Sequence, residues 1–435
     1  MKNYQRSFFY DLQALITSSA FHRKYYLLFK SLDLSGFSDK KKPCGRLGYS
    51  QHALLKAFII KHLEEIKTVP RLLDFLDAHP LLSHMCGFNI GQLPDASQFY
   101  RFLKHTPNSK FESIHQAVNS ALLRAKILCL DTFIIDSKPI MAATKDNNFK
   151  NPNRNTRNKN KIPKRNPSAT LGYLSYQQID SKKSHFLFFW GYRTHVIVSK
   201  EGIPLVELTL PNNNSDTYAA QRLIRKLKRI YHFSHGSIFI ADASYDERDF
   251  YDFIVNGMKS QAFIPINPRN QKDRKTLGPN GSPLCEAGLE MRSHGSWVEG
   301  HRKRAKFRCP LKMDPKLALK FPRGCPLSHP KFTQNKAYGC TKYLDLTDDA
   351  RSHVPRDTPL FKKTCSLRIE VERYFARLGD REAEQTTHYK LRSLQNQMTI
   401  AHFSLSLVAS AAALLLNQPD KIRSFRTFAS LPKAA

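Results

Sequence analysis

The stretch Ile127-Leu-Cys-Leu-Asp-Thr-Phe-Ile-Ile-Asp136 is mainly apolar and ends in a carboxylate. Its β-branched and aromatic residues predict a buried strand. A second run of this kind, Ser237-Ile-Phe-Ile-Ala-Asp242, also ends in an aspartate. Each aspartate alone is an ordinary turn residue. Together with a third carboxylate on a later helix, they are one way to assemble a divalent-metal site from distant parts of a chain.

The third carboxylate lies in Cys365-Ser-Leu-Arg-Ile-Glu-Val-Glu-Arg-Tyr-Phe-Ala-Arg-Leu-Gly-Asp-Arg381. Apolar residues at helical spacing predict one amphipathic helix, and the members of its stripe are Leu367, Val371, Tyr374, Phe375 and Leu378. Beside the stripe, Arg368 and Glu372 stand one turn apart. The ordinary interpretation is a surface ion pair, which is common and contributes little. A carboxylate on a packed helix is held rigidly, however, and this suits a metal ligand.

The segments between these carboxylates alternate in type. Two strands, 186–199 and 203–210, are expected around the Glu201-Gly202 turn. A helix capped by Ser215 follows, then the Asp242 strand, a helix from Glu247 that Gly257 ends, and a strand over 261–266. The predicted order is therefore three strands, helix, strand, helix, strand.

Five segments, in this order and spacing, resemble the DDE transposases of bacterial insertion sequences that carry a Tyr-Arg-Glu-Lys signature helix. The matching segments are Ile135–Ile140, Gly191–Val196, Pro211–Asp216, Ala241–Asp246 and Arg368–Leu378. The resemblance implies an α/β, ribonuclease-H-like catalytic domain, in which a mixed sheet is flanked by helices. It also implies a DNA transposase that performs metal-dependent cleavage and strand transfer of an insertion-sequence element.

The resemblance assigns the catalytic and metal-binding roles to Asp136, Asp242 and Glu372. Carboxylates suit Mg²⁺ or Mn²⁺, and two ions per active site are expected. The family pattern places the catalytic glutamate four residues after the arginine, which selects Glu372 rather than Glu370. It also favours the first two aspartates over their neighbours Asp131 and Asp246.

The resemblance assigns a DNA phosphate to Arg368, whose planar fork matches phosphate oxygens; its ordinary alternative is a salt bridge to Glu370 or Glu372. The sequence departs from the family in three places: Cys365 replaces the signature tyrosine, Gly379 replaces the signature lysine, and Ser244 stands where glycine is usual. The candidates to supply the phosphate contact of the missing lysine are Arg373, Arg377 and Arg381. Two alternatives stay open: a degenerate transposase that only binds DNA, and a ribonuclease-H-like nuclease that cuts without joining.

Four domains or parts of domains are predicted. Residues 1–125 are expected to be helical and to bind transposon-end DNA, by a helix-turn-helix, or else to serve only in packing or dimerisation. Residues 126–266 form the first part of the catalytic core, with a mobile basic loop over 145–165. Residues 267–355 are an insertion, and residues 356–435 complete the core with the signature helix and a long apolar helix over 391–416.

The insertion lacks regular periodicity, and the resemblance implies β structure there. It contains four cysteines, Cys285, Cys309, Cys325 and Cys340, which are enough for a structural zinc. Since no Cys-x-x-Cys pair is present, unligated cysteines are favoured. Trp297, between two glycines, is expected at a turn tip, where it either stacks on a displaced DNA base or anchors the insertion.

Composition supports a polyanionic partner. The chain has 435 residues and a net charge of +33, with a pI near 9.9. Charge alone allows DNA, RNA or an anionic membrane. The resemblance implies double-stranded DNA, as terminal inverted repeats and target, bound by a homodimer or a higher synaptic assembly. No membrane association is expected, because no lipidation signal is present and the 391–416 run fits a buried helix. The eight cysteines and the lack of a signal peptide predict reduced thiols in a cytoplasm, and the resemblance implies a bacterial, nucleoid-associated protein.

Overall fold

The computed structural model begins with a cluster of helices and continues into a mixed sheet. It describes residues 14–16, 18–39, 48–148, 150, 155–156, 160–177, 184–267, 282–300, 302–334, 337–346, 350–351, 354, 356, 358–379 and 386–426. The N-terminal helices are α1 (Ala20–Lys30), α2 (Gln51–Leu63), α3 (Val69–Ala78), α4 (Pro80–Cys86), α5 (Ala96–His105) and α6 (Asn108–Arg124). Their starts follow local capping: Ser50 accepts a hydrogen bond from the Ala53 amide, and Pro70 lies in the first turn of α3.

The central sheet carries the strands that hold the predicted aspartates. Its strands are β1 (Thr132–Met141), β2 (Thr170–Gln177), β3 (Ser184–Ser199), β4 (Pro204–Pro211), β5 (Ile238–Ile240) and β6 (Gln261–Phe263). The order is β2-β3-β1-β5-β6, and β4 also pairs with β3. The pairs of β3 with β1, β2 and β4 are antiparallel, whereas β1, β5 and β6 run parallel. This is the ribonuclease-H-like arrangement that the sequence analysis predicted.

Helices cover the sheet, and a second sheet follows β6 in the chain. The covering helices are α7 (Asp216–Ile230), α8 (Arg248–Asp252, continued by a π-helical segment Phe253–Gly257), α12 (Pro359–Ser366), α13 (Ile369–Gly379) and α14 (Leu391–Ser410, continued by a π-helical segment Ala411–Leu415). The insertion folds as a three-stranded antiparallel sheet, β7 (Arg292–Glu299), β8 (Arg302–Arg308) and β9 (Thr341–Asp345), with short helices α9 (Pro310–Met313), α10 (Pro315–Leu319) and α11 (Pro330–Gln334). The predicted β character of the insertion is thus present.

Helix α14 connects the N-terminal helices to the sheet. Phe403 and Leu407 belong to the core of the helical region, while Met398 and Leu405 pack on the side of the sheet that faces α13. Within the described residues, Leu391–Leu415 is the one helical segment long and apolar enough to cross a membrane, and 89% of its most apolar window is buried in the protein. The predicted buried helix is confirmed.

Several strands of the central sheet differ from the prediction. Strand β1 begins at Thr132 and continues to Met141, so Asp136 lies within the strand; antiparallel pairing with the long β3 extends the ladder past Pro139. Strand β2 was not predicted at all, and β6 ends three residues early, at Phe263. The expected 145–165 loop lies partly outside the described residues, and so does the end of the chain.

The predicted single signature helix is two helices. Helix α12 ends at Ser366 and α13 starts at Ile369, so Leu367 and Arg368 form the junction. Leu367, expected in the buried stripe, is exposed there. The remaining stripe is confirmed, since Val371, Tyr374, Phe375 and Leu378 are all buried against the sheet. The break therefore places Arg368 before the first residue of α13, while the face of α13 that packs inward is the predicted one.

Candidate active site

Asp136 and Asp242 stand side by side because of the strand register. Ile134 of β1 pairs with Ile240 of the parallel strand β5. Each aspartate comes two residues after its paired isoleucine, so both lie at the same level along the two strands, Asp136 within β1 and Asp242 just past the end of β5. Asp242 follows the end of β5 and caps a short 3₁₀ turn, where its Oδ1 accepts hydrogen bonds from the Ser244 amide at 2.9 Å and from the Ser244 hydroxyl at 2.5 Å.

Asp136 is largely enclosed, with 19% of its side chain exposed. Its pKa is raised to about 7, chiefly by burial and also by the negative charges of Asp242 and Asp216. The Ser137 amide, which donates to Asp136 Oδ1 at 2.7 Å, and the guanidinium of Arg368 act in the opposite direction. The carboxylate is therefore held where a nearby positive charge stabilises its ionised form.

Arg368 connects the sheet to helix α13. Its Nη1 lies 4.0 Å from Asp136 Oδ2, and its Nη2 contacts Glu372 Oε1. Half of the Glu372 side chain and about a third of Arg368 are exposed. One guanidinium thus lies between two of the three predicted carboxylates, while the third, Asp242, adjoins Asp136 in the sheet. The predicted salt bridge from Arg368 to Glu372 is present.

The position of Glu372 follows from the packing of α13. Val371, Tyr374 and Leu378 are fully buried in one cluster with Ile134 and Ile240, the two paired isoleucines. The Tyr374 hydroxyl contacts the ring of His402 in α14. This packing fixes the buried face of the helix, and Glu372, on its flank, contacts Arg368, whose Nη1 lies 4.0 Å from Asp136 Oδ2.

Glu370 occupies the opposite flank and is already engaged. Arg373 Nη1 lies 2.9 Å from its Oε1, and Arg423 Nη1 lies 2.7 Å from its Oε2. Arg377, next on that flank, donates a hydrogen bond to the Gly202 carbonyl at 2.8 Å. The structure therefore places Arg373 and Arg377 away from the three carboxylates, whereas Arg381 lies outside the described residues.

The two competing aspartates are also engaged elsewhere. Asp131 precedes β1 and pairs with Lys200 at 2.5 Å on the surface. Asp246 is fully buried, and Arg351 donates to both of its carboxylate oxygens at 2.7 Å. Neither residue joins Asp136 and Asp242 at their shared level in the sheet.

Asp216 is a residue that the sequence analysis quoted only as the end of a matching segment. It is the first residue of α7; Arg193 Nη1 donates to it at 3.0 Å and the Ser137 hydroxyl donates at 3.1 Å. The ring of His195 lies 3.8 Å away, and burial lowers the pKa of that imidazole to about 4. The signal for Asp216 was its place after a polar run at a helix start, which also fits ordinary capping.

Trp297 lies away from these carboxylates in the chain's second sheet. It is within β7, three residues before the Gly300 turn, so the predicted turn-tip position was wrong. The neighbouring Gly295, at φ +102°, forms an irregularity in the strand pair rather than a turn. The indole is 39% exposed and meets the Tyr343 ring edge-on at a centroid distance of 5.8 Å.

A ready-made metal cluster is absent from the part of the chain that the structure describes: no three His, Cys, Asp or Glu side chains converge there closely enough to hold an ion. The Arg368 guanidinium lies within reach of the acidic side chains of Asp136 and Glu372. The carboxylate oxygens of these side chains are the type of ligand that a hard divalent cation prefers.

Comparison with known proteins identifies the family. Residues 128–407 match the family model described as "Transposase DDE domain", and residues 8–105 match the one described as "Transposase domain (DUF772)". No curated protein sequence matches the chain.

The similar solved structures share little sequence with the chain. A piggyBac transposase synaptic complex with hairpin DNA is 8% identical, with 94% of this chain and 82% of that chain covered and a TM-score of 0.33. A Mos1 mariner paired-end complex with Mn is 14% identical, with coverages of 55% and 66% and a TM-score of 0.17. A Mos1 paired-end complex with the left transposon end is 15% identical, with the same coverages and TM-score. The match of the DDE model over more than half of the chain shows that this protein belongs to the DDE transposase family, and it is a DNA-cleaving and strand-transferring transposase.

Proposed function

We propose that Asp136, Asp242 and Glu372 are the catalytic carboxylates of this transposase and that they hold two divalent ions, Mg²⁺ or Mn²⁺. The observation that carries the proposal is the register of β1 and β5, which brings the two aspartates together beside the glutamate of α13. When bound, such ions activate a water or a 3′ hydroxyl and stabilise the departing oxygen.

The residues fit a cation for two reasons. All three side chains offer carboxylate oxygens, the ligands that Mg²⁺ and Mn²⁺ prefer. The charges of Asp242 and Asp216 oppose ionisation of Asp136, and burial opposes it more. A cation at this position compensates that unfavourable charge, as the guanidinium of Arg368 does in part.

The remaining residues of the site orient these ligands and the DNA. Packing of α13 and α14 fixes Glu372, and Ser244 holds one oxygen of Asp242. We assign a DNA phosphate to Arg368, because its planar fork is matched to phosphate oxygens and it is partly exposed. Arg373 and Arg377 are weaker candidates than the sequence suggested, since Glu370 and the Gly202 carbonyl engage them.

We further propose that the DNA partners are the terminal inverted repeats of an insertion sequence and its target, bound by two or more copies of the chain. The charge of +33 supports a polyanionic partner. The N-terminal helices are assigned to recognition of the transposon ends by a helix-turn-helix, with packing or dimerisation alone as the alternative. Trp297 is assigned to stacking on a displaced base. The expected location is the bacterial nucleoid.

The departures from the family leave the degenerate-transposase reading as the second candidate. Cys365 points its sulfur at the Phe263 carbonyl, 3.8 Å away, so it replaces the signature tyrosine without adding a polar group to the site. Gly379 is the last residue of α13 and adds no charge there. An inactive DNA binder, however, has no requirement for three neighbouring carboxylates.

A cleavage assay decides between these readings. Purified full-length protein, mixed with supercoiled plasmid that carries the element with its flanks, is expected to nick and cut at the ends in Mg²⁺ or Mn²⁺. Excess chelator should stop cleavage while gel-shift binding persists, and Asp136→Asn and Asp242→Asn should behave like chelation. Binding without cleavage by the unaltered protein would favour the degenerate reading, and cleavage without joined products would favour the plain nuclease.

A further inference from the structure

The insertion brings its four cysteines to one cavity. They come from four separate segments: Cys285 beside the Leu284–Glu290 bridge, Cys309 just after β8, Cys325 between α10 and α11, and Cys340 just before β9. All four line a cavity of about 60 Å³, which we call the four-cysteine cavity. The sequence analysis favoured unligated cysteines because no Cys-x-x-Cys pair is present, but folding gathers thiols that are far apart in the chain.

Backbone geometry fixes three of these cysteines in tight turns. The carbonyls of Cys285, Cys309 and Cys325 each accept a hydrogen bond from the amide three residues later, at 3.0, 3.1 and 2.9 Å. The first turn is completed by Gly288 at φ +71° and the third by Ser328 at φ +47°, so both use the left-handed region. A serine accepts this conformation at a cost, which indicates that the turn after Cys325 is required by its surroundings.

The backbone just before Cys340 lies close to Cys309. A Cβ added to Gly339, the residue before Cys340, would lie 2.7 Å from the Cys309 Cβ and 3.4 Å from its Sγ. The Cys340 sulfur lies 3.4 Å from His329 Nδ1, and the other ring nitrogen of His329 lies 3.1 Å from Glu286 Oε2. Both nitrogens of this histidine thus have partners, and one of these partners is the Cys340 sulfur.

Among its described residues, the insertion has only a small apolar core of its own. Its own core cluster contains three buried side chains, Met291, Ala305 and Phe307, with Cys285 and Cys340 packed against them. Every residue of β7 is exposed. A segment with so small a core usually requires a metal, a disulfide or a larger neighbour to be stable. The cysteines described by the structure are free, so a disulfide does not supply this.

We propose that the four-cysteine cavity binds one structural zinc ion through the four cysteine thiolates. Soft thiolates select zinc over the hard cations expected at the carboxylates, and a Cys₄ set is a common closed, tetrahedral structural site. In the described residues the four sulfurs do not yet meet at ligand distance. Each thiol moves by rotation about a single side-chain bond, and the cavity between them has room for one ion. Binding releases the thiol protons to water.

The zinc would tie the end of β8 and the start of β9 to the two turns at Cys285 and Cys325. It would therefore set the shape of the hairpin that carries Trp297. His329 would stay outside the ligand set and hold the Cys340 sulfur in place. This role does not depend on the catalytic assignment of Asp136, Asp242 and Glu372, which lie outside the insertion.

The test measures metal content rather than activity. Full-length protein is produced with added zinc, dialysed extensively in the presence of a reductant, and analysed by plasma mass spectrometry. We expect about one zinc per chain. Cys325→Ser and Cys340→Ser should lose it, whereas Cys129→Ser, at a cysteine outside the cavity, should keep it. Asp242→Asn should also keep it, which separates this ion from any metal at the carboxylates.

A second measurement avoids the risk that a variant fails to fold. Unaltered protein is titrated with an organomercurial, and a coloured chelator reports the zinc that is released. Release in step with the blocking of four thiols, and thiolate-to-metal absorption after Co²⁺ replacement, support the site. Zinc-free unaltered protein, equal zinc in Cys340→Ser, loss of zinc in Asp242→Asn, or disulfides among the four cysteines would each overturn the proposal.

Discussion

Arg193 of β3 donates from a single nitrogen to both carboxylate oxygens of Asp216, at 3.0 Å each. The pair joins the sheet to the first turn of α7, and Asp216 also accepts a hydrogen bond from the Ser137 hydroxyl, beside Asp136. The start of α7 therefore contacts β1 and β3 next to Asp136, the proposed first catalytic carboxylate. The negative charge of Asp216 also raises the pKa of Asp136.

Replacement of Asp216 should change both the rate and its pH dependence. Asp216→Asn removes a negative charge that raises the pKa of Asp136, so Asp136 should ionise at lower pH. The midpoint of the acid limb of the cleavage profile should therefore shift downward, while the rate at neutral pH falls by roughly tenfold or more because Arg193 loses its partner. Single-turnover cleavage across a pH series measures both. A lower rate with an unmoved midpoint would leave Asp216 with a structural role only.

The choice between the two glutamates of α13 gives a matched pair of variants. Glu372→Gln should abolish cleavage and retain DNA binding, because the neutral isostere loses ligand charge without opening a cavity. Glu370→Gln should keep substantial cleavage and lose some stability, since the ion pairs to Arg373 and Arg423 weaken. Cleavage assays, gel shifts and thermal melts on both proteins measure this. The reverse pattern of activity would show that the assignment of the site on α13 is off by two residues.

Most of the site was predictable because it depends on local patterns. Runs of apolar residues that end in Asp136 and Asp242 indicated two strands, and the spacing of Arg368 and Glu372 indicated a contact between these two side chains, which is present. These features survive errors in element boundaries. In the structure the two strands pair in parallel, and their register places Asp136 and Asp242 at the same level.

What the sequence missed depends on contacts between distant segments. Strand β1 continues to Met141 only because β3 is long enough to pair with it. The helix break at Leu367 could not be predicted, because no glycine or proline is present there. The gathering of Cys285 and Cys340 follows from the folding of a segment without periodicity, so no spacing rule could show it.

Helix α14 makes the N-terminal helices dependent on the end of the chain. Phe403 is fully buried in the same cluster as Tyr25 and Phe58. Phe403→Ala should cost about 3–5 kcal/mol, a typical value for removing a buried ring. Leu414→Ala, at an exposed position of the same helical segment, should cost much less. Chemical denaturation of the two proteins measures the difference.

The same packing predicts that a fragment of residues 1–125 folds poorly on its own. Without Phe403, Leu407 and Val408, one side of its core faces water. Its circular dichroism should show reduced helix, and addition of a peptide that covers 391–416 should restore part of it. A fragment that is fully helical and melts cooperatively would instead support the predicted boundary at residue 125.

Arg368 should have two separable effects on cleavage. Its positive charge lowers the pKa of Asp136, so Arg368→Gln should raise that pKa and move the acid limb of the cleavage profile upward, opposite to Asp216→Asn. The lost phosphate contact should also weaken the reaction by roughly 10–100-fold, the range of one charge-assisted hydrogen bond. Arg368→Lys keeps the charge but not the planar fork. It should therefore restore the pH midpoint while recovering only part of the rate.

The outcome of that comparison distinguishes the roles of Arg368. If charge near Asp136 were its only contribution, lysine would restore both midpoint and rate, and the assignment to a DNA phosphate would fail. If phosphate binding were its only contribution, the midpoint would stay fixed in both variants and only the dependence on DNA concentration would change. The contacts of one guanidinium with Asp136 and Glu372 predict that both parameters change in the glutamine variant.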